Sequence, residues 1–204
     1  MKNILILYAT REGQTEKVAA QISTHLKKAG ANVELINAQD KTATEDIDLD
    51  VFDLLVFGAS MHAGGLEQEL VDFINSHKEQ IEQRVRSFFL VLLSAATKDS
   101  KLRAEWLKDA RNKMDEQIQV QFQDVEMIAG ALMYSKYSLP LKWIMKRIAK
   151  QAGEGTDTSK DYEYTDWQQV EQYSENLMNI SKKPKSEGSP EPESKNWSAD
   201  CIES

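Results

Sequence analysis

Three uninterrupted apolar runs do most to limit what this chain can become: Ile4-Leu5-Ile6-Leu7-Tyr8, Leu54-Leu55-Val56-Phe57-Gly58 and Phe88-Phe89-Leu90-Val91-Leu92-Leu93. A strand with one wet face alternates apolar and polar residues, so a run that is apolar throughout marks a strand covered on both sides. Between the runs the spacing becomes helical. Val18, Ala19, Ile22 and Leu26 share one face of a helix that Gly30 stops, and Leu66, Leu70, Phe73 and Ile74 share the face of another. Val33 to Ile36 reads as a short strand, Lys101 to Gln117 as a charged helix, and Val125 to Leu132 as a fourth apolar run with Gly130 inside it. Asp166 to Ile180 reads as a closing helix with Trp167, Val170, Tyr173, Leu177 and Ile180 on one face. This alternation predicts an α/β chain: a doubly wound, parallel five-stranded sheet with helices on both faces and a long insertion, about 133–160, after the last strand.

In such sheets ligands bind beyond the carboxyl ends of the strands, near the reversal in strand order. Three loops qualify, at residues 10–15, 60–65 and 94–98. The first, Thr10-Arg11-Glu12-Gly13-Gln14-Thr15, joins a strand to a helix start, where convergent N–H groups and the helix dipole favour an anion, most simply a phosphate. Gly13 permits close backbone approach. Thr10 and Thr15 offer hydroxyls, and Thr15 also suits the helix cap position. Taken alone, the hexapeptide equally fits a plain strand-to-helix turn. The chain lacks the Gly-Lys-Ser/Thr of P-loop NTPases and the G-x-G-x-x-G of dinucleotide folds. A receiver domain shares the layer order but needs paired acids after its first strand and an Asp ending its third. Tyr8-Ala9-Thr10 and Gly58-Ala59-Ser60 stand there instead.

A formal net charge of -8 and a pI near 5.0 exclude a general nucleic-acid binder, whose footprint is basic. Cys201 is the single cysteine, so neither a disulfide framework nor a Cys-based metal site is available, and a cytoplasmic location is expected. His25, His62 and His77 form no metal-ligand spacing with other residues, and no metal is expected. With 204 residues, 41% of them hydrophobic, the chain builds one core. Residues 1–181 are read as that domain and residues 182–204, rich in Ser, Pro, Glu and Lys, as a disordered polar tail.

The insertion reverses the local charge. From Tyr134 to Lys150 it holds Lys136, Lys142, Lys146, Arg147 and Lys150 and no acid. After Pro140, Leu141, Ile144, Met145 and Ile148 share a helical face flanked by Trp143. From Leu141 to Lys150 that pattern suits docking on an anionic membrane surface, at the inner face of the cell membrane. A helix packed on the sheet with a solvated basic face fits it equally. The insertion leaves the last strand at its ligand end and must return there, which brings Gly155, Thr156, Asp157 and Thr158 to the same side.

The first loop resembles that of the flavodoxin family, Ser/Thr-x-Thr-Gly-x-Thr, at Thr10, Gly13 and Thr15, with Glu12 in place of a Thr. Ile128-Ala129-Gly130-Ala131-Leu132, the Tyr-rich basic insertion, Gly153-Glu154-Gly155-Thr156-Asp157-Thr158 and Tyr164-Thr165-Asp166-Trp167 are similar to a branch of that fold, the menaquinone-dependent protoporphyrinogen oxidases of bacteria. That branch also carries an acid at the Glu12 position. The resemblance covers roughly residues 3–180 and implies a flavodoxin-like fold, flavin mononucleotide (FMN) as cofactor, oxidation of protoporphyrinogen IX to protoporphyrin IX in heme biosynthesis, and menaquinone or another quinone as acceptor. Thr10, Arg11, Glu12, Gly13, Gln14 and Thr15 would hold the phosphate. Ser60, Met61, His62, Ala63 and Gly64 would flank the flavin, with Ser94, Ala95, Ala96 and Thr97 from the third loop and residues 155–158 from the insertion. Neither flanking loop carries Trp or Tyr to sandwich the ring, which leaves a face open to an organic substrate. His62 is the candidate catalytic residue, able to shuttle a proton or donate to a flavin oxygen, and it also fits as an exposed loop residue. The branch tends to carry Arg and Tyr where Met61-His62-Ala63-Gly64-Gly65 stands here, so two other readings stay open: an electron carrier between protein partners, and a membrane-docked flavin-binding adaptor without catalysis.

Overall fold

Successive side chains of a strand point to opposite faces, so a run apolar at every position can be buried only in the middle of three layers. Ile4, Leu5, Ile6 and Leu7 are all fully buried, and they divide by parity. Leu5 and Leu7 belong to one core with Leu55, Phe57, Phe88 and Leu90; Ile4 and Ile6 belong to the other with Val56, Phe89 and Val91. The structure, a computed structural model, describes residues 1–62, 64–136, 139, 142, 146 and 157–180. Ala63, Gly155, Thr156, most of the basic stretch 141–150 and the tail 182–204 with Cys201 lie outside the described residues.

The strands β1 (Asn3–Tyr8), β2 (Asn32–Asn37), β3 (Leu54–Ser60), β4 (Arg86–Leu92) and β5 (Val125–Ala129) form one sheet in the order β2-β1-β3-β4-β5. Every pairing within it is parallel. One face is covered by α1 (Gln14–Lys28) and a closing helix, α6 (Trp167–Asn179), through Val18, Ile22, Leu26, Val170, Tyr173 and Leu177. Two short helices, α2 (Lys41–Thr44) and α4 (Lys78–Glu82), accompany α3 (Gln68–Ser76) and α5 (Ser100–Gln117) in the alternation. The other face is covered by Leu70, Phe73 and Ile74 of α3, Ile81 of α4 and Ala110 and Met114 of α5. Each fully buried Leu, Ile or Phe contributes about 1.5–3 kcal/mol relative to exposure, so the two cores hold the sheet from both sides. Gly58 is fixed by packing: a Cβ there would lie 2.0 Å from the ring of Phe89.

Two expected elements differ. The fourth apolar run is not one strand. β5 stops at Ala129, and Ala131–Leu132 form β6, which leaves the sheet and pairs antiparallel with β7 (Tyr162–Glu163) on the far side of the insertion. Trp167 is not on the buried face of the closing helix. It is 37% exposed, and its indole N–H donates to Glu163 Oε1 at 3.0 Å, so it fastens β7 to the start of α6. Among the described residues, no helix is long and apolar enough to cross a membrane.

Candidate flavin site

Strand order reverses at β1, which pairs with β2 on one side and β3 on the other. The loops after β1, β3 and β4 all open at the carboxyl edge beside that reversal. Thr10 to Gly13 form a tight turn in which Gly13 N–H donates to Thr10 Oγ1 at 2.9 Å. Gly13 has φ 93° and itself occupies the cap position of α1, so Thr15 is not the cap. It lies in the first turn of the helix, fully buried. The left-handed backbone that ends the turn selects glycine over threonine there. No side chain caps this helix end, and its positive pole faces the loop.

The polar atoms near this end carry the sharpest signal. Among the described residues, three buried side-chain atoms have no hydrogen-bond partner: Thr15 Oγ1, Gln14 Oε1 and Thr97 Oγ1. All belong to the first and third loops. Leaving such a group unpaired costs about 1–3 kcal/mol, a cost that a ligand with hydrogen-bonding atoms removes. The Thr15 hydroxyl and the uncapped helix N-terminus are donors that suit a phosphate ester, while Gln14 Oε1 is an acceptor that takes a donor from the ligand.

The second loop holds a polar cluster that sequence reasoning missed. Glu67, just before α3, is 3% exposed. Its carboxylate accepts from Ser60 Oγ at 2.8 Å and from Ser60 N–H at 3.3 Å, and lies 3.2 Å from His62 Nε2. His62 Nε2 is also 3.0 Å from Ser60 Oγ. Since the Ser60 hydroxyl donates to Glu67, both oxygens around Nε2 act as acceptors, so Nε2 carries the hydrogen and Nδ1 is left as the acceptor. Backbone bonds between His62 and Gly65, at 3.1 and 3.0 Å, close the turn. Gly65 has φ 100°, and a Cβ there would lie 2.3 Å from the Gln117 side chain, whose Oε1 accepts from Leu66 N–H. Gly65 therefore spends both backbone groups inside the turn, while Gly64 is exposed. Met61 is half-buried and packs on the core of the α3 and α5 side. The only hint of the cluster in the sequence is one acid seven residues after a serine that ends a strand.

In the third loop, Leu93–Ala96 make one 3-10 turn, leaving Ser94, Ala95 and Ala96 half-buried and Thr97 buried. Of the insertion residues, Asp157 is exposed and Thr158 half-buried; Asp157 N–H donates to the Tyr162 hydroxyl at 3.3 Å. The β6–β7 pair is tied to the first loop. Gln14 Nε2 donates to Thr165 Oγ1 at 2.8 Å, and Thr165 Oγ1 donates to the Ala129 carbonyl at 2.7 Å. Lys17 pairs with Glu163 at 3.1 Å, and Lys136 Nζ donates to the carbonyl of Glu12. Arg11 is exposed and Glu12 half-buried. Among the described residues, no group of His, Cys, Asp and Glu could hold a metal ion.

Residues 5–159 match the family model described as a flavodoxin domain. The protoporphyrinogen IX dehydrogenase [quinone] of Escherichia coli (strain K12) is 31% identical over 180 residues, covering 88% of this chain and 97% of that one. The protein of the same name from Leishmania major is 25% identical over 170 residues, 83% of this chain and 71% of its own. Among solved structures, a short-chain flavodoxin associated with a bacterial microcompartment superposes with a TM-score of 0.53 at 15% identity, over 88% of this chain and 98% of that one. Oxidised flavodoxin 1 of Bacillus cereus does so at 0.50, also at 15% identity, over 87% and 98%.

Proposed function

The chain belongs to the flavodoxin domain family, and from that premise we propose that it is an FMN-dependent oxidoreductase that oxidises protoporphyrinogen IX to protoporphyrin IX and passes the electrons to a quinone. The observation that carries this reading is the nearly end-to-end likeness to a dehydrogenase of that name. It is supported by buried, unpartnered polar atoms concentrated in two loops at the strand-order reversal. Bound FMN supplies the electron-accepting chemistry. Thr10, Gly13, Gln14 and Thr15 hold its phosphate, with Arg11 and Glu12 at the loop's outer side. Ser60, Met61, His62, Ala63, Gly64, Ser94, Ala95, Ala96 and Thr97 are assigned to the flanks, and Gly155, Thr156, Asp157 and Thr158 to the same side. The flanks lack Trp and Tyr, which leaves a face of the flavin open to a tetrapyrrole macrocycle. Oxidation of the porphyrinogen releases protons as well as electrons. His62 Nδ1 accepts a proton, because Nε2 is held by Ser60 and the buried Glu67 carboxylate.

The acceptor quinone is lipid-soluble, and the basic stretch from Leu141 to Lys150 brings the protein to an anionic membrane surface, each basic residue contributing about 1 kcal/mol near the surface. The test is turnover of the FMN-loaded protein with protoporphyrinogen IX under anaerobic conditions, followed by porphyrin fluorescence, with the quinone either free in solution or carried in anionic vesicles. Porphyrin is expected with either form. His62→Gln is expected to retain flavin and lose turnover by about 10²-fold or more. Replacing Lys142, Lys146, Arg147 and Lys150 by Gln is expected to slow turnover only with vesicle-borne quinone. Porphyrin formation no faster than without protein would refute the enzyme. Unaltered turnover in the His62 variant would refute the proton role, and unaltered turnover of the quadruple variant on vesicles the membrane role.

A further inference from the structure

We infer that Lys136, carried by the turn Tyr134–Lys136 at the start of the insertion, supplies the cation that neutralises the phosphate of the bound flavin. The inference rests on the FMN reading above and names a residue that reading does not use. Lys136 lies 123 positions from Gly13, yet a Cβ added to Gly13 would lie 3.3 Å from Lys136 Nζ. The ammonium also donates to the Glu12 carbonyl. It therefore stands over the turn that precedes α1, at the positive end of a 15-residue helix whose first turn contains the unpartnered, fully buried Thr15 hydroxyl.

Charge favours the assignment. A phosphate monoester brings a charge near −2, and the loop itself sets Arg11 against Glu12, so its formal charge is zero. Lys17, one turn into α1, is engaged with Glu163 at 3.1 Å. Lys136 is the cation brought to the backbone of the turn by a contact the structure contains. The backbone that carries Lys136 is held in place. Asp161 accepts from both Ser135 N–H at 2.8 Å and Ser135 Oγ at 2.6 Å, and Lys136 N–H donates to the Met133 carbonyl at 2.9 Å. Tyr134 beside it is fully buried. These contacts anchor the 3-10 turn Tyr134–Lys136 against β7. A bound dianion accepts from the Lys136 ammonium, a charge-assisted bond stronger than the one to a neutral carbonyl.

The experiment compares two ligands that differ only in the phosphate. Dissociation constants for FMN and for riboflavin are measured by flavin fluorescence quenching for wild type, Lys136→Gln and Lys136→Arg. Wild type is expected to prefer FMN. Lys136→Gln is expected to lose FMN affinity by about tenfold or more, equivalent to about 1.4 kcal/mol, while its riboflavin affinity stays within a factor of about two. Lys136→Arg is expected to restore most of the FMN affinity. Equal losses for both ligands would make Lys136 a structural residue and overturn the inference, as would FMN binding by Lys136→Gln at wild-type strength. A wild type that binds neither ligand would remove the FMN reading and this inference with it, whereas the two preceding outcomes leave the FMN reading intact.

Discussion

Under the proposed FMN reading, Thr15 is a phosphate-site residue whose hydroxyl gains a partner only when the ligand binds. Its hydroxyl is buried without a partner, so Thr15→Val removes an unsatisfied polar atom and keeps the shape. The flavin-free protein is expected to gain about 1–3 kcal/mol in denaturant unfolding, while FMN binds more weakly. The two effects have opposite signs, which a purely structural threonine would not produce. A destabilised variant, or one with undiminished FMN affinity, would contradict this account of the loop. Gly13 stands out in the sequence as a point of close backbone approach, and its φ is 93°; Gly65, with φ 100°, closes its turn with His62, a role the sequence did not single out. Glu67 was not legible. A charged residue in a loop ordinarily faces solvent, and only the fold brings Ser60 and His62 around it.

At the scale of elements, the β6–β7 pair joins the two ends of the insertion, and one exposed acid, Asp161, fastens the turn Tyr134–Lys136 beside it. The Ser135 hydroxyl and then the Ser135 amide hold the Asp161 carboxyl below the ordinary aspartate range, with Lys136 adding to the effect. A carboxyl whose folded pKa is depressed stabilises at pH values above its unfolded pKa, and the contribution is lost as pH falls through the folded value. Acidification below the ordinary aspartate range is therefore expected to loosen the turn Tyr134–Lys136. Protection of the Ser135 amide, relative to its intrinsic exchange rate at each pH, should fall there, and Asp161→Asn should lack that protection already at neutral pH. Slow exchange at Ser135 in the Asn variant would contradict the role given to Asp161. These elements also mark the limits of the sequence. Continuous apolar runs identified the central strands, and helical spacing identified the buried face of α1, because burial on one or two sides dictates residue type directly. Gly130 inside an apolar run carries no comparable mark: a chain that continues in the sheet and one that turns out of it both need apolar residues there. Trp167 misled for a related reason, since its spacing fits the buried face while its indole N–H is satisfied at the surface by Glu163. Lys136 was visible as charge, but its proximity to Gly13 is a fact of tertiary structure.

For the whole molecule, the architecture brings three loops and the edge of the insertion to one end of a rigid parallel sheet. The resemblance and the family match agree on the fold, and the physics of the runs explains why: strands apolar at every position require two cores, divided by parity, one on each face of the sheet. An electron carrier and an enzyme can share that scaffold, and they differ in whether the flavin meets an organic reductant directly. The most direct measurement is the reductive half-reaction. The FMN-loaded protein is mixed anaerobically with protoporphyrinogen IX, with no quinone and no second protein, while flavin absorbance and porphyrin fluorescence are followed together. Bleaching of the flavin in step with the appearance of porphyrin is the predicted result. A flavin that stays oxidised in the presence of the porphyrinogen, and is reduced only when a reductase protein is added, would contradict it.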